Sequence, residues 1–164
     1  MKKILMLATG GTISCSGLEN LSPTYTGEEL LKRSRLDHCC SVKTVDLFSL
    51  DSTDIEPSHW LELARRIHEA EDFDGFVITH GTDTLAYTSA MLSFLCVGIQ
   101  KPVVITGSQR TFDEPESDAP INLRNAFSVA CSDLKGVVVV FGRKVFSGVK
   151  VHKTDTRMFD AFTS

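Results

Sequence analysis

The chain has 164 residues, of which 42% are hydrophobic and 23% charged, and its formal net charge is −4. This length suits a single domain with a sizeable core. The charges are mixed and form no basic stripe, which argues against a nucleic-acid partner, and no apolar stretch is long enough to span a bilayer, which argues against a membrane protein. The cysteines are odd in number and form no C-x-x-C pair, so we predict reduced thiols, without a disulfide framework or a zinc site. They are Cys15, Cys39, Cys40, Cys96 and Cys131.

The N-terminal run KILMLAT predicts a buried strand, because it is too short for a signal peptide and two glycines follow it. The polar stretch SCSGLENLSPTYTGEE is typical of a lid loop, and GEELLKRSRL predicts a short helix. A second strand is predicted over 42–50. A helix is predicted over 56–71, where apolar residues from Trp60 to Ile67 recur at helical spacing.

Three further strands, over 75–80, 102–106 and 136–142, are apolar on both faces, as in a parallel sheet that helices cover. The helix predicted over 83–98 is apolar almost all round, so we expect it to be deeply buried. A last helix is predicted over 119–136. The alternation predicts one α/β domain with a doubly wound, mostly parallel sheet and helices on both faces, a Rossmann- or flavodoxin-like three-layer sandwich.

Polar residues follow each predicted strand. In open α/β sheets, ligands bind outside the carboxyl ends of the strands. The five exits carry small hydroxyls, acids or a lysine, which predicts one polar pocket for a small molecule. These exits are Thr9–Thr12, Asp51–Asp54, His80–Thr84, Thr106–Arg110 and His152–Thr156.

The absence of several known motifs argues against some kinds of pocket. Neither a Walker A loop nor G-x-G-x-x-G is present, which disfavours mononucleotide binding, and no Gly-x-Ser-x-Gly elbow marks an α/β-hydrolase. Hydroxyls together with Lys153 and Asp83 suggest nucleophilic acyl transfer, because a threonine needs a base or a positive neighbour to react. The candidate nucleophiles are Thr12 and Thr82.

Each of these features also has a purely structural interpretation. Gly10-Gly11 suits a tight turn, and Thr82 or Asp83 suits the N-cap of the following helix. A lysine such as Lys153 is usually solvated. His80 is typical of a histidine that only makes structural hydrogen bonds.

Two stretches, ATGGTI at the first exit and ITHGTDT at the third, closely resemble the signature motifs of the bacterial-type L-asparaginase family. DSTDI, ITGSQ, SDAPINLRNA and FDAFTS are also similar to family sequence, so the resemblance covers essentially the whole chain. It implies an amidohydrolase that converts L-asparagine to L-aspartate and ammonia without a metal or cofactor. DSTD and the missing signal peptide resemble the cytosolic branch, which implies a cytoplasmic homo-oligomer, a dimer or tetramer when full-length.

The resemblance also implies roles for single residues. Thr12 matches the nucleophile that forms an acyl-enzyme, and Tyr25 matches a lid tyrosine that helps to activate it. Thr82, Asp83 and Lys153 match a Thr-Asp-Lys cluster that holds the scissile amide and its water, and the order in which Thr12 and Thr82 act stays open. The substrate-binding positions implied by the resemblance are Gly11, Asp51, Ser52, Thr82 and Asp83.

Two other functions stay open. One is the ammonia-releasing, glutaminase-type subunit of a tRNA amidotransferase, which usually carries a further domain before TGGT and is disfavoured because this chain begins at the strand. The other is a non-catalytic amino-acid-binding module, which has no need of the threonine, aspartate and lysine cluster. Family members continue past FDAFTS into a smaller domain, so we expect this chain to be the N-terminal domain. We expect it to fold alone and to turn over asparagine poorly.

Overall fold

The computed structural model describes residues 1–17, 22–36 and 40–164. Cys39 and the part of the predicted lid loop at 18–21 lie outside these residues. Within the described ranges, the main sheet contains β1 (Lys2–Gly10), β2 (Cys40–Leu50), β3 (Gly75–Thr79), β4 (Pro102–Thr106), β5 (Gly136–Phe141) and β6 (Lys144–Ser147). The α-helices are α1 (Gly27–Ser34), α2 (Pro57–Glu69), α3 (Leu85–Leu95) and α4 (Ala119–Ala130). A separate antiparallel pair consists of β7 (His152–Lys153) and β8 (Phe162–Thr163).

The sheet has the order β2-β1-β3-β4-β5-β6, and its first five strands pair in parallel. The five predicted strands and the α/β fold class are therefore confirmed. The edge strand β6, which was not predicted, pairs antiparallel with β5 after a tight turn at Gly142, where φ is 60°. The pair β7–β8 was also not predicted, because two-residue strands leave no periodic signal.

Alternate side chains of each central strand enter different cores, which confirms the three-layer arrangement. On β1, Leu5 and Leu7 face one core, with Leu63 of α2. Ile4 and Met6 face the other, which contains residues of α1 and α4. The continuous apolar runs of the sequence are explained by this burial on both faces.

Side chains satisfy backbone groups at the start of α1 and just after the end of α4. Thr26 and Glu29 form a reciprocal capping box at the start of α1. Helix α4 ends at Ala130, earlier than predicted. There the Ser132 hydroxyl donates to the Val129 carbonyl at 2.7 Å and accepts from the Leu134 N–H at 3.2 Å, so it satisfies groups that a longer helix would have bonded.

The prediction that α3 is deeply buried is wrong for one of its faces. Leu85 and Leu92 are fully buried against the sheet, but Tyr87 is 66% exposed and Phe94 is 69% exposed. The apolar pattern could not reveal this difference, because it is the same on both sides of the helix. In the described part of the chain, α3 packs on the sheet with one side only, and the other side faces outward.

Candidate functional site

The first and third strand exits diverge at the centre of the sheet. From β1 the chain passes to α1 on one face, and from β2 it returns through α2 on the opposite face to β3. This reversal makes the carboxyl ends of β1 and β3 the topological switch point, where open α/β sheets bind their ligands. Thr12 and Thr82 lie on the loops that leave these two strands.

Glycines allow the first three exits to touch through their backbones. Gly11 has a φ of 76°, and a Cβ at this position would overlap the backbone of Gly81. A Cβ on Gly81 would in turn lie 2.6 Å from the Cβ and Oγ of Ser52. Gly10 also has a positive φ, 100°, and lies against the Leu50 carbonyl. Gly10-Gly11 is therefore a tight turn, and the same two residues bring the exits together.

Thr12 begins a single 3₁₀ turn, Thr12–Ser14, directly after this contact. The turn is anchored by the buried Ile13 side chain and by the Ser14 hydroxyl, which donates to the Gly10 carbonyl at 3.2 Å. Thr12 itself is half-buried. Among the described residues, no partner forms a hydrogen bond with its hydroxyl, which leaves this group available to a substrate.

Lys153 joins the end of the sheet to the third exit. Its Nζ donates to Thr82 Oγ1 at 2.8 Å and to Asp83 Oδ1 at 2.8 Å. The lysine side chain is only 12% exposed, so the interpretation as a solvated surface charge does not hold. The capping interpretation does not hold either, because α3 has Thr84 at its N-cap position and no side chain caps it. The structure therefore brings together Thr82, Asp83 and Lys153 as the sequence predicted.

The second exit contributes Asp51 and Ser52. One carboxylate oxygen of Asp51 accepts from the backbone N–H of Thr53 at 2.9 Å and from its hydroxyl at 2.8 Å, which fixes the turn Ser52–Asp54. Ser52 is buried, and its carbonyl accepts from the Thr84 hydroxyl at 2.6 Å. The second and third exits are thus joined by hydrogen bonds as well as by the contact at Gly81.

His80 supports this loop from beneath, as a structural histidine. Trp60 Nε1–H can only donate, and it lies 2.9 Å from the Thr88 hydroxyl oxygen. The Thr88 hydroxyl can then donate to His80 Nε2 at 2.9 Å, which leaves the proton on Nδ1 to donate to the Gly81 carbonyl at 2.8 Å. Complete burial lowers the pKa of His80 to about 4, although the bond to Gly81 opposes this. His80 is therefore neutral at pH 7 and holds Gly81 in place.

Among the residues that the structure describes, the hydroxyl of Tyr25 does not form a hydrogen bond with Thr12 or Thr82. Its O–H donates to the carboxylate of Asp113, which also accepts from Arg33 Nη1 at 2.8 Å. The guanidinium of Arg33 lies 4.0 Å from the centre of the tyrosine ring. The hydrogen bond to Asp113, followed by desolvation, raises the pKa of Tyr25. Tyr25 is thus held by the β4–α4 loop and by α1.

Asp113 and Gln109 are the two residues that sequence reasoning missed. Asp113 holds Tyr25, and Gln109 accepts from the Thr82 hydroxyl at 3.2 Å. Gln109 is part of the fourth exit, but its type carries no distinctive chemistry. The strand-exit rule was the signal that placed it near the site, and nothing in the sequence distinguished it from Ser108 or Arg110.

The thiols and the acidic groups give no sign of a further centre. Cys15 and Cys96 are buried, and burial raises the pKa of both thiols, that of Cys96 to about 11. Over residues 1–17, 22–36 and 40–164, no three or more His, Cys, Asp or Glu side chains are grouped to hold a metal ion. No helix in the same ranges is long and apolar enough to cross a membrane.

Comparison with known proteins finds relatives over essentially the whole chain. The family model described as "Asparaginase, N-terminal" matches residues 3–164. The L-asparaginase of Thermococcus kodakarensis is 41% identical over 166 residues, which cover 99% of this chain and 51% of that protein. A glutamyl-tRNA(Gln) amidotransferase subunit of Pyrococcus furiosus is 39% identical over 98% of this chain, which matches 40% of that protein.

Solved structures give the same result. The thermostable L-asparaginase from Thermococcus kodakarensis superposes with a TM-score of 0.88 over 99% of this chain and 51% of its own. The probable cytoplasmic L-asparaginase from Campylobacter jejuni, 33% identical, superposes with a TM-score of 0.87 over 100% of this chain and 52% of its own. The chain thus spans about half the length of the asparaginases that it matches.

Proposed function

The chain belongs to the asparaginase family, and on this basis we propose that it carries the catalytic residues of an amidohydrolase that converts L-asparagine to L-aspartate and ammonia. We further propose that residues 1–164 are the N-terminal catalytic domain of such an enzyme. The observation that carries the proposal is the contact of Lys153 with Thr82 and Asp83, at 2.8 Å each, across about 70 residues of sequence. Lysine side chains are seldom buried, and this one is only 12% exposed and bonds a hydroxyl and a carboxylate at the strand exits, where open α/β sheets bind their ligands.

In the proposed reaction, the oxygen of Thr12 attacks the side-chain amide carbon of asparagine. A bond forms between the Thr12 oxygen and the amide carbon, and the carbon–nitrogen bond breaks. The nitrogen gains one proton, in balance with the one that the Thr12 hydroxyl loses, and leaves as ammonia. Water then hydrolyses the ester to aspartate and restores Thr12. We assign Thr82 and Lys153 to hold the amide and the water, since the ammonium of Lys153 polarises the Thr82 hydroxyl at 2.8 Å.

The polar groups around the threonines suit the two charged ends of an amino acid. Asp83 bonds Lys153 through Oδ1 and is otherwise largely exposed, so its carboxylate is able to accept from the substrate's α-ammonium group. We propose that Ser52 and Asp51 hold the α-carboxylate and amino ends, and that Gly11 lets the substrate approach the backbone. The proposed role of Tyr25 in activating Thr12 requires it to leave Asp113 or to accept a second hydrogen bond.

The test is ammonia release from L-asparagine by the purified chain and by its Thr12→Ala variant. Turnover that disappears in the variant supports the proposal. Binding of asparagine by both proteins, measured by calorimetry without ammonia release, supports the amino-acid-binding module instead. Because the chain spans half of its relatives, we expect low turnover, and single-turnover conditions with excess protein make it measurable.

A second candidate is ammonia release from glutamine, as in an amidotransferase subunit. It is favoured by the 39% identity to the amidotransferase subunit of Pyrococcus furiosus, which is close to the 41% identity to the asparaginase. One extra methylene changes binding in a pocket by only about 1–3 kcal/mol, so some activity on both amides is expected. The ratio of kcat/KM for asparagine and glutamine separates the two, and a ratio that favours glutamine supports the second candidate.

We also propose that the full-length protein is a cytoplasmic homo-oligomer. The cytoplasmic assignment is supported by the likeness to the Campylobacter jejuni protein, which is described as probable cytoplasmic. The exposed apolar side of α3, with Tyr87 and Phe94, is consistent with a further protein surface against it. Light scattering of the full-length protein measures the oligomeric state.

A further inference from the structure

Thr82 bonds Gln109 and Lys153, and Gln109 in turn bonds the carbonyl of Met158. The chemistry of these groups fixes which of them donates and which accepts. The carbonyl of Met158 can only accept, so the side chain of Gln109 must turn its NH₂ group toward it, at 3.1 Å. The oxygen of the Gln109 amide then faces Thr82 at 3.2 Å and can only accept. At the other end, the ammonium of Lys153 can only donate, and it donates to Thr82 Oγ1.

These constraints orient the Thr82 hydroxyl completely. Its oxygen accepts from Lys153 and its hydrogen points to Gln109. A neutral amide oxygen is not a base, so Gln109 cannot remove this proton, and an ammonium cannot remove it either. Thr82 is therefore held as a hydrogen-bonding group and has no neighbour in this network that would turn it into a nucleophile.

The backbone of Gln109 is itself held in place by buried side chains of α4 and the residue before it. Its backbone N–H donates to the Asp118 carboxylate, at 2.9 and 3.1 Å, and Asp118 accepts from the Asn122 side chain at 3.0 Å. Asn122 is fully buried and also bonds the Gly107 carbonyl at 2.9 Å. The position of Gln109 is thus determined by α4 and the β4 exit, independently of any substrate.

We propose that Gln109 is a positioning residue: it binds the Thr82 hydroxyl proton without being able to remove it, and so keeps Thr82 a hydrogen-bonding group rather than a nucleophile. The proposal rests on the proposed function for its meaning in catalysis. Its physical content, the low reactivity of the Thr82 hydroxyl and its dependence on Gln109, is measurable without asparagine turnover.

The decisive variant is Gln109→Glu, which keeps an acceptor next to the Thr82 hydroxyl but makes it a base. Hydroxyl nucleophiles are probed with p-nitrophenyl acetate, and acetylated residues are located by peptide mass spectrometry. In the wild-type chain we expect no acetyl on Thr82, and any labelling on Thr12 follows from the proposed function. In Gln109→Glu we expect acetylation of Thr82 to rise about tenfold or more, since a positioned base typically contributes at least that much.

Two controls separate this effect from a change of structure. Gln109→Met has a side chain of similar length without a base, so Thr82 stays unlabelled. Gln100→Glu makes the same chemical change at an exposed glutamine that bonds Gly98 and Lys135, and it leaves the labelling pattern unchanged. Circular dichroism and thermal melting verify that each variant is folded.

The pH dependence of Thr82 labelling distinguishes a base at position 109 from a purely structural effect, which would not change with pH. In Gln109→Glu, labelling of Thr82 should decrease at low pH as the new carboxyl is protonated. Gln109→Met should show no such decrease. If the chain turns over asparagine, Gln109→Met lowers kcat about tenfold and changes KM less than threefold, as expected for an orienting group.

Equal labelling of Thr12 and Thr82 in the wild-type chain overturns the proposal, even if Gln109→Glu does not fold. Unchanged or absent labelling of Thr82 in a folded Gln109→Glu overturns it as well. Absence of ammonia release from asparagine, with the expected labelling, contradicts the proposed function and leaves the role of Gln109 supported.

Discussion

The floor of the site and its lid residue are held in different ways. At the floor, Thr82 is fixed by partners from two other exits, and the Lys153 side chain is almost buried. Tyr25 is held by Asp113 and Arg33, whose side chains are 39% and 41% exposed. Exposed ion pairs contribute little to stability, about 0–1 kcal/mol. The strand exits are therefore set by the core, whereas the hydroxyl of the lid tyrosine, whose ring packs against the core, is held by weak surface contacts.

The largest expected effect is the loss of the floor's own hydroxyls. Thr12→Ala and Thr82→Ala should each lower asparagine turnover about 1,000-fold or more, and the double variant should be little worse because the two act as one unit. Ammonia release measures the effect, and Thr163→Ala, at an exposed position in β8, is the control. Near-normal turnover by a folded Thr12→Ala protein would contradict the assignment.

The next effect concerns the backbone contact between the first and third exits. Gly11→Ala places a Cβ into the backbone of Gly81, whereas Gly98→Ala, at a similar φ of 82°, meets no atom within 4 Å. The positive φ alone costs about 1–2 kcal/mol, so Gly98→Ala measures this strain. Gly11→Ala should lower the free energy of unfolding by clearly more in urea denaturation. Equal losses would show that the contact is loose.

The stability of the floor should depend on pH through His80. Its pKa of about 4 in the folded protein lies below the ordinary 6.5, so the unfolded chain takes up this proton first as the pH falls. The contribution is fully present above about pH 6.5 and is lost toward pH 4. It amounts to about 3 kcal/mol at most, at 1.36 kcal/mol per pKa unit.

Urea denaturation at several pH values measures this dependence. His80→Gln should flatten the slope between pH 6.5 and 4, whereas His68→Gln, at an exposed histidine, should leave it as in the wild type. A slope that persists unchanged in His80→Gln would rule out His80 as its source.

The smallest effect belongs to the lid. Asp113→Asn should change the free energy of unfolding by less than about 1 kcal/mol, because the contact is largely exposed. It should also lower the pKa of Tyr25 toward its ordinary value, since the bond to Asp113 is the main cause of its rise. The chain has two tyrosines, so a Tyr87→Phe background isolates Tyr25 in an ultraviolet titration. An unchanged titration would indicate that Tyr25 does not stay on Asp113.

The sequence predicted those features that leave a periodic or positional signal. Apolar runs gave the five parallel strands, and the strand-exit rule placed Thr82 near Lys153, a contact between residues 71 positions apart. The orientation of Gln109 and the contact of Tyr25 with Asp113 could not be predicted. Such hydrogen bonds depend on the positions of loops that are far apart in sequence, and the sequence pattern does not give these positions. The exposed side of α3 was missed because its apolar pattern is symmetrical.

Strand β1 is the first in the chain but lies inside the sheet, between β2 and β3. Ile4 pairs with Val42 on one side and with Gly75 on the other, so neither edge of β1 is covered by a local hairpin. Pairings of such long sequence separation are slow to form. On the ribosome, the edge of β1 that pairs with β3 stays open until residues 75–79 have emerged, so the loop that carries Thr12 takes its final shape only after the loop that carries Thr82 has been synthesised.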